Sequence, residues 1–336
     1  MSENPFMVVC DSDRQYCIRL SEYIRRNLSL SFGIEAYTDC EALKEFAKEN
    51  EVSLLVISES MAKELTDETG HISRNTLILR EGLKTGFDEE SVRSISKYVP
   101  AREIVDAILD VCEEKAQDFK GLSIKGAEKK TRVIGFYTPL SRSGQTTFAV
   151  HMGEKLSEKG RSLLLSFESF SAITEVFEGS KNGDITDLLY LAECDEEEFL
   201  IHLEKIRQKR EGLDMIPPPK MAMQIRELSA ERLKKLLRLL SEKGGYEYIL
   251  LDLKDYPEDF FDILSMCDCI YTIGRNNSRD QYRIALYNKT LMENGYDAVP
   301  AKTVKCLLPD VRQVRHYASF VSDYLGRGME VLGIGA

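Results

Sequence analysis

Thr131–Gly153 reads TRVIGFYTPLSRSGQTTFAVHMG. Arg132–Tyr137 is a short apolar run with β-branched residues. Thr138–Gly144 carries Pro, Ser and Gly, and from Gln145 apolar side chains recur at helical spacing through Ala149 and Met152. The stretch predicts strand, turn and helix. That arrangement aims a helix N-terminus and successive backbone N–H groups at an anion. A phosphate loop has the pattern Gly-x-x-x-x-Gly-Lys-[Ser/Thr]. Here Pro139 takes the place of the first Gly, Gly144 is the second, Gln145 replaces the Lys, and Thr146 keeps the hydroxyl.

Upstream, Met7–Cys10 is an apolar run ending in Asp11-Ser12-Asp13, with Asp13 placed to cap a helix bearing Cys17, Leu20, Ile24 and Leu28 on one face. Further strands are predicted at Ser31–Tyr37, Leu54–Ile57, Thr76–Leu79 and Val92–Ser96, and further helices at Cys40–Lys48 and around Ile104–Cys112. Strands alternating with helices imply a parallel sheet covered on both faces. Read alone, Asp11 and Asp13 cap a helix and Lys97 is a surface residue. Asp118–Lys130, DFKGLSIKGAEKK, has Gly and Lys without periodicity and reads as a tether. The expected division is a first domain over 1–117, a linker over 118–130 and a second domain over 131–336.

Downstream, Ser162–Phe167 is a buried strand leading into Glu168, and Asp184 opens a helix. Glu196–Arg210 reads as one charged amphipathic helix with a solvated face. Leu213–Ile216 is a strand stopped by Pro217-Pro218-Pro219. Leu233, Leu236, Leu237 and Leu240 form one helical stripe, closed by Gly244-Gly245. Tyr246–Leu253 is a central strand with Asp252 near its end. Cys269–Ile273 and Thr303–Leu307 are strands, Asp280–Asn294 is a helix, and a last helix follows Pro309-Asp310.

The chain has 336 residues, 43% hydrophobic and 30% charged, with a formal net charge of −11. That composition predicts a soluble globular protein of two domains. There is no apolar run of the ~18 residues a membrane-spanning helix needs. The opening MSENPF lacks a leader pattern, so a cytoplasmic location is expected. The acidic balance argues against nucleic acid as a partner, because such binding rests on cations neutralising phosphate. The eight Cys and four His form no metal motif, and the Cys read as small hydrophobes of a reducing compartment.

Two resemblances add to this reading. The first third is similar to a response-regulator receiver domain, with Asp11 and Asp13 on the acidic cluster and Lys97 on the family's Lys. Ser58 stands at the phosphoacceptor position, beside Glu59, and a serine cannot form an acyl phosphate. From Thr131 on, the phosphate loop, the strand ending at Glu168, Gly212-Leu213-Asp214-Met215-Ile216-Pro217 and YEYILLD at Tyr246–Asp252 follow one another as in MinD/ParA-type P-loop ATPases. The fusion of the two resembles the TadZ/CpaE family.

The resemblance implies an α/β fold of two doubly wound parallel-sheet domains, a flavodoxin-like receiver domain followed by a P-loop domain. It implies ATP or ADP with Mg²⁺ as cofactor, held by Arg142, Ser143, Gly144, Gln145, Thr146, Thr147, Pro309 and Asp310. Thr146 and Asp252 would serve the metal, and Asp252 and Glu168 would be the catalytic candidates. It implies a homodimer that localises Flp-type pilus or secretion machinery at a cell pole or membrane complex. Gln145 and Leu140, the latter at the class's signature Lys, remove cations from the γ-phosphate. One such charge in a partly buried site is worth ~4 kcal/mol, so its loss would slow transfer roughly a thousandfold. A nucleotide-binding scaffold with little hydrolysis is expected. The alternative is an active positioning ATPase cycling on DNA or membrane, against which the Gly-rich tail Gly326–Ala336 also speaks.

Overall fold

The computed structural model describes residues 5–65, 69–82, 93–119, 122, 130–179, 183–254, 257–308 and 317–333. The chain forms two compact units, one of Met1–Lys125 with Glu196–Lys205, the other of Gly126–Asp195 with Ile206–Ala336. Among the described residues no helix is long and apolar enough to cross a membrane.

In the first unit β1 (Phe6–Cys10), α1 (Arg14–Asn27), β2 (Gly33–Tyr37), α2 (Cys40–Glu49) and β3 (Val52–Ser58) alternate. They are followed by α3 (Glu59–Leu65), α4 (Thr69–Ile72), β4 (Thr76–Arg80), β5 (Arg93–Ser96) and α5 (Ala101–Glu114). The strands pair in parallel in the order β2-β1-β3-β4-β5, the flavodoxin-like order of doubly wound sheets. Asp13 caps α1 as its position predicts, accepting from the N–H groups of Gln15 and Tyr16. Met7, Val8, Val9 and Cys10 of β1 are all fully buried. A strand buried on both faces reads as a continuous apolar run, as this one does.

The second unit begins with β6 (Arg132–Phe136), α6 (Gln145–Ser157), β7 (Ser162–Phe167), the two-residue β8 (Glu178–Gly179) and α7 (Ile185–Cys194). The chain then passes through α8 (Phe199–Ile206), nearly all of which belongs to the first unit. It returns with β9 (Gln208–Arg210), β10 (Leu213–Ile216), α9 (Ala222–Arg226), α10 (Ala230–Glu242) and β11 (Tyr248–Leu253). It ends with α11 (Phe260–Met266), β12 (Cys269–Arg275), α12 (Ser278–Glu293), α13 (Ala298–Ala301), β13 (Thr303–Leu308) and α14 (Tyr317–Val331). The sheet order is β13-β12-β6-β11-β7-β10-β9-β8. Its core strands are parallel, but β9 runs antiparallel to both β10 and β8. The sheet is therefore mixed rather than wholly parallel.

Glu196–Arg210 is not one helix. It stops at Ile206, and β9 turns back into β10 through Glu211 and Gly212, both at positive φ (49° and 84°), with Arg210 opposite Leu213. Positive φ at both central residues is what a tight primed hairpin turn needs. Nor is its charge a solvated face. Lys205 pairs with Asp110 at 2.8 Å and with Glu113, His202 meets Glu113 at 2.9 Å, and Glu204 accepts from the Ser29 N–H at 3.2 Å. Phe199, Leu203 and Ile206 are fully buried. Glycine does not end the last helix either, because α14 continues through Gly326 and Gly328.

Candidate functional site

Register sets the site. Asp252 of β11 lies opposite Phe136, the last residue of β6, on one side and Ser166 of β7 on the other. The chain leaves β6 for β7 on one flank and returns to its other flank with β12. The loop after β6 thus stands at the point where strand order reverses, which is where doubly wound sheets hold ligands.

The loop is held from several sides. Thr138 Oγ1 donates to the Ile273 carbonyl at 2.6 Å, and Arg275 Nη2 to the Arg142 carbonyl at 2.9 Å. Arg142 and Gly144 take left-handed φ values of 53° and 79°, Gly144 as the residue that opens α6. A cavity of 590 Å³ lies over the loop, lined by Tyr137–Thr147 together with Glu168, Lys254 and Arg283.

Gln145, at the Lys position, turns inward. It is 2% exposed, and its Nε2 lies 2.6 Å from Asp252 Oδ1, 3.0 Å from the Leu253 carbonyl and 3.1 Å from the Phe136 carbonyl. Three acceptors share two protons, which fixes the amide's orientation. Thr146 Oγ1 donates to Asp252 Oδ2 at 2.8 Å, and Ser166 Oγ lies 3.3 Å from the same oxygen. Asp252 is fully buried and all its partners here are neutral donors. Burial pushes its carboxyl up from the ordinary carboxylate range, and Gln145, Thr146 and the charge of Lys254 bring it part of the way back.

Arg142, Ser143, Gly144, Gln145, Thr146, Thr147 and Glu168 therefore meet at one cavity, and Leu140 lines it too. Asp252 sits behind Gln145 and is not among the lining residues. Glu168 pairs with Lys254 and accepts from Ser171 Oγ at 3.2 Å. Pro309 and Asp310 lie outside the described residues. Lys254 and Arg283 complete the lining, although neither belongs to the loop motif. Lys254 had a signal, a cation two residues past Asp252. Arg283 had none, since only packing brings α12 here.

The donor set favours an anion. Backbone N–H groups at the start of α6, the Thr147 hydroxyl and the Arg142 and Arg283 guanidinium groups suit phosphate. A divalent cation is served less well. Thr146 alone of the expected pair reaches the cavity, and among the described residues no three His, Cys, Asp or Glu come together to hold a metal.

In the first unit Asp11 and Lys97 meet just past the C-terminal ends of β1 and β5, and Ser58 is the last residue of β3. Lys97 is not a surface residue. It is buried, 2.7 Å from Asp11 Oδ2 and 3.3 Å from Glu81, with its Nζ 4.7 Å over the Tyr16 ring. Burial alone would lower its pKa, but the bonds and charges of Asp11 and Glu81 outweigh it and leave it raised. Ser58 is fully buried, 3.2 Å from Ser60 Oγ.

No family model and no curated protein matches the sequence. Among solved structures, a ParA family ATPase from Chlorobium tepidum is similar at 18% identity, over 61% of this chain and 82% of that one, with a TM-score of 0.45. The septum site-determining protein MinD of Pyrococcus horikoshii, complexed with Mg-ADP, is similar at 16% identity, over 57% and 77%, with a TM-score of 0.40. pNOB8 ParA bound to nonspecific DNA is similar at 20% identity, over 60% and 76%, with a TM-score of 0.37.

Proposed function

We propose that the second unit holds the phosphates of ATP or ADP and hydrolyses them poorly. The whole chain then acts as a TadZ/CpaE-like scaffold that positions Flp-type pilus or secretion machinery. The observation that carries the first part is Gln145. A neutral amide stands where the loop cation belongs, and it is spent on Asp252 and two backbone carbonyls. Phosphoryl transfer is catalysed mostly by charge and position, so a loop without its cation keeps more of its binding than of its rate. Nucleotide would serve as a dimerisation switch, and of the two residues expected at a metal only Thr146 reaches the cavity. The machinery itself, the polar location and the dimer follow from the sequence resemblance.

Calorimetric titration with ATP and ADP, run beside phosphate release and size-exclusion chromatography, tests this reading. Binding is expected with turnover below that of a Gln145→Lys variant. Robust wild-type turnover abolished by Asp252→Ala would favour the second reading, a positioning ATPase cycling on DNA or membrane. Nucleotide-dependent co-sedimentation with DNA or vesicles would then separate its two substrates.

A further inference from the structure

Two arginines line the cavity over a loop that carries Gln145 at the lysine position. Arg142 and Arg283 both line the cavity, and neither makes an ion pair with a described residue. Lys254, the other cation among the described lining residues, is neutralised by Glu168.

Arg283 is held in place by its neighbours on α12. Ile284 presses on β12 so closely that a Cβ at Gly274 would lie 2.8 Å from Ile284 Cδ1, with Leu140 of the loop 3.5 Å away. Tyr287, one turn on, meets Tyr137 at the base of the loop with ring centroids 5.2 Å apart. Arg142 is pinned through its own carbonyl by Arg275. Meanwhile Gln145 closes the path from the cavity to Asp252, the carboxylate a bound metal would need. Both oxygens of that carboxylate are already engaged.

We infer that this cavity is a polyphosphate cradle that works without a divalent cation, Arg142 and Arg283 supplying the charge that loop lysine and metal share elsewhere. The inference builds on the proposed nucleotide site but does not need the base or the ribose. A planar guanidinium presents paired N–H donors in a fixed fork that matches two phosphate oxygens, whereas an ammonium acts as a point charge. One arginine from the loop and one from α12 reach the anion from two walls.

The test is calorimetric titration of the full chain with sodium tripolyphosphate, ATP and ADP, each in Mg²⁺ and in EDTA. Tripolyphosphate is expected to bind in EDTA with a Kd within about threefold of that in Mg²⁺. Arg283→Ala should weaken it about ten- to hundredfold, the range for losing a charged hydrogen bond. Arg142→Asn, chosen because Asn tolerates positive φ, should do the same. Both side chains are exposed, so unchanged circular dichroism is expected. Binding that needs Mg²⁺, or that ignores both substitutions, overturns the cradle. Tripolyphosphate binding in EDTA without ATP or ADP binding keeps the cradle and sinks the nucleotide reading. Nucleotide binding only with Mg²⁺ does the reverse. No binding of any probe removes both.

Discussion

Replacing Gln145 by Leu keeps the side chain's bulk and removes its amide. Asp252 Oδ1 then loses a charge-assisted bond of 2.6 Å, and the carbonyls of Phe136 and Leu253 lose the proton they share. A bond to a charged group contributes about 1.5–3 kcal/mol, and the carbonyls add about 1 kcal/mol. The apolar side chain offsets roughly 1 kcal/mol of this through burial. The expected net loss is about 2 kcal/mol. With a urea slope of about 2 kcal/mol/M, the unfolding midpoint falls by about 1 M. Circular dichroism follows the transition, and the second unit's is the one that Gln145→Leu moves. The loss must also depend on pH. The Asp252 carboxyl is raised in the folded state, so its contribution is fully present below the unfolded value of 3.8 and is lost as pH rises through the folded value. Gln145→Leu takes away a group that was lowering it, so the variant's deficit should be largest near neutrality and shrink on acidification. In an Asp252→Asn background most of the deficit should disappear. A deficit under about 0.5 kcal/mol, one that grows in acid, or strict additivity with Asp252→Asn refutes the account.

Three further outcomes are expected. Lys97→Met leaves Asp11 buried without its cation and should destabilise the first unit by about 3–5 kcal/mol in urea. Because Lys97 is raised, the wild-type contribution should hold below pH 10.5 and fade only above it. Gly328→Ala would place a Cβ 1.7 Å from the Tyr271 hydroxyl, which donates to the Tyr324 carbonyl. It should lower the melting temperature by at least the ~1–3 kcal/mol of overpacking, with Tyr271→Phe restoring part. Glu113→Gln should speed hydrogen exchange across α8. Burial raises Glu113, but Lys205 and His202 outweigh it and leave it lowered. In the wild type that protection should therefore persist above pH 4.5 and be lost as pH falls below it.

Local chemistry made much of the fold readable. Asp13 before an apolar stripe announces α1, and Leu233, Leu236, Leu237 and Leu240 are the buried face of α10. Gly245, in the pair that closes that helix, takes a φ of 62°. The β9–β10 hairpin was hidden because Glu211 fills a position where Asn or Asp before Gly is the usual signal. The charged run before it imitates a helix face, yet its Arg207 is buried against Asp214 at 2.9 Å. Lys97 looked exposed because its partner Asp11 is 86 positions away. At the site, Gln145, Thr146 and Asp252 were legible as a motif. What the motif could not show is direction, that the amide faces the carboxylate and leaves the cavity to Arg142 and Arg283.

That direction explains how a loop of this pattern can carry Gln145 in place of Lys and still fold. A carboxylate at the end of a fully buried strand needs donors whatever the loop binds. An ammonium at position 145 would serve either Asp252 or a phosphate, moving between them as ligand arrives. Gln145 serves only the first, since a neutral amide satisfies the buried oxygen but brings no charge to the ligand. On the cradle inferred above, Gln145 separates two roles that one cation would combine, a structural one kept inside the sheet and an electrostatic one left to the rim. Charge at the rim sits on exposed side chains, where solvent screens it and the geometry is looser. Such charge can hold a phosphate that is already formed. It is poorly placed to stabilise one in transfer, because that requires donors fixed before the reaction begins.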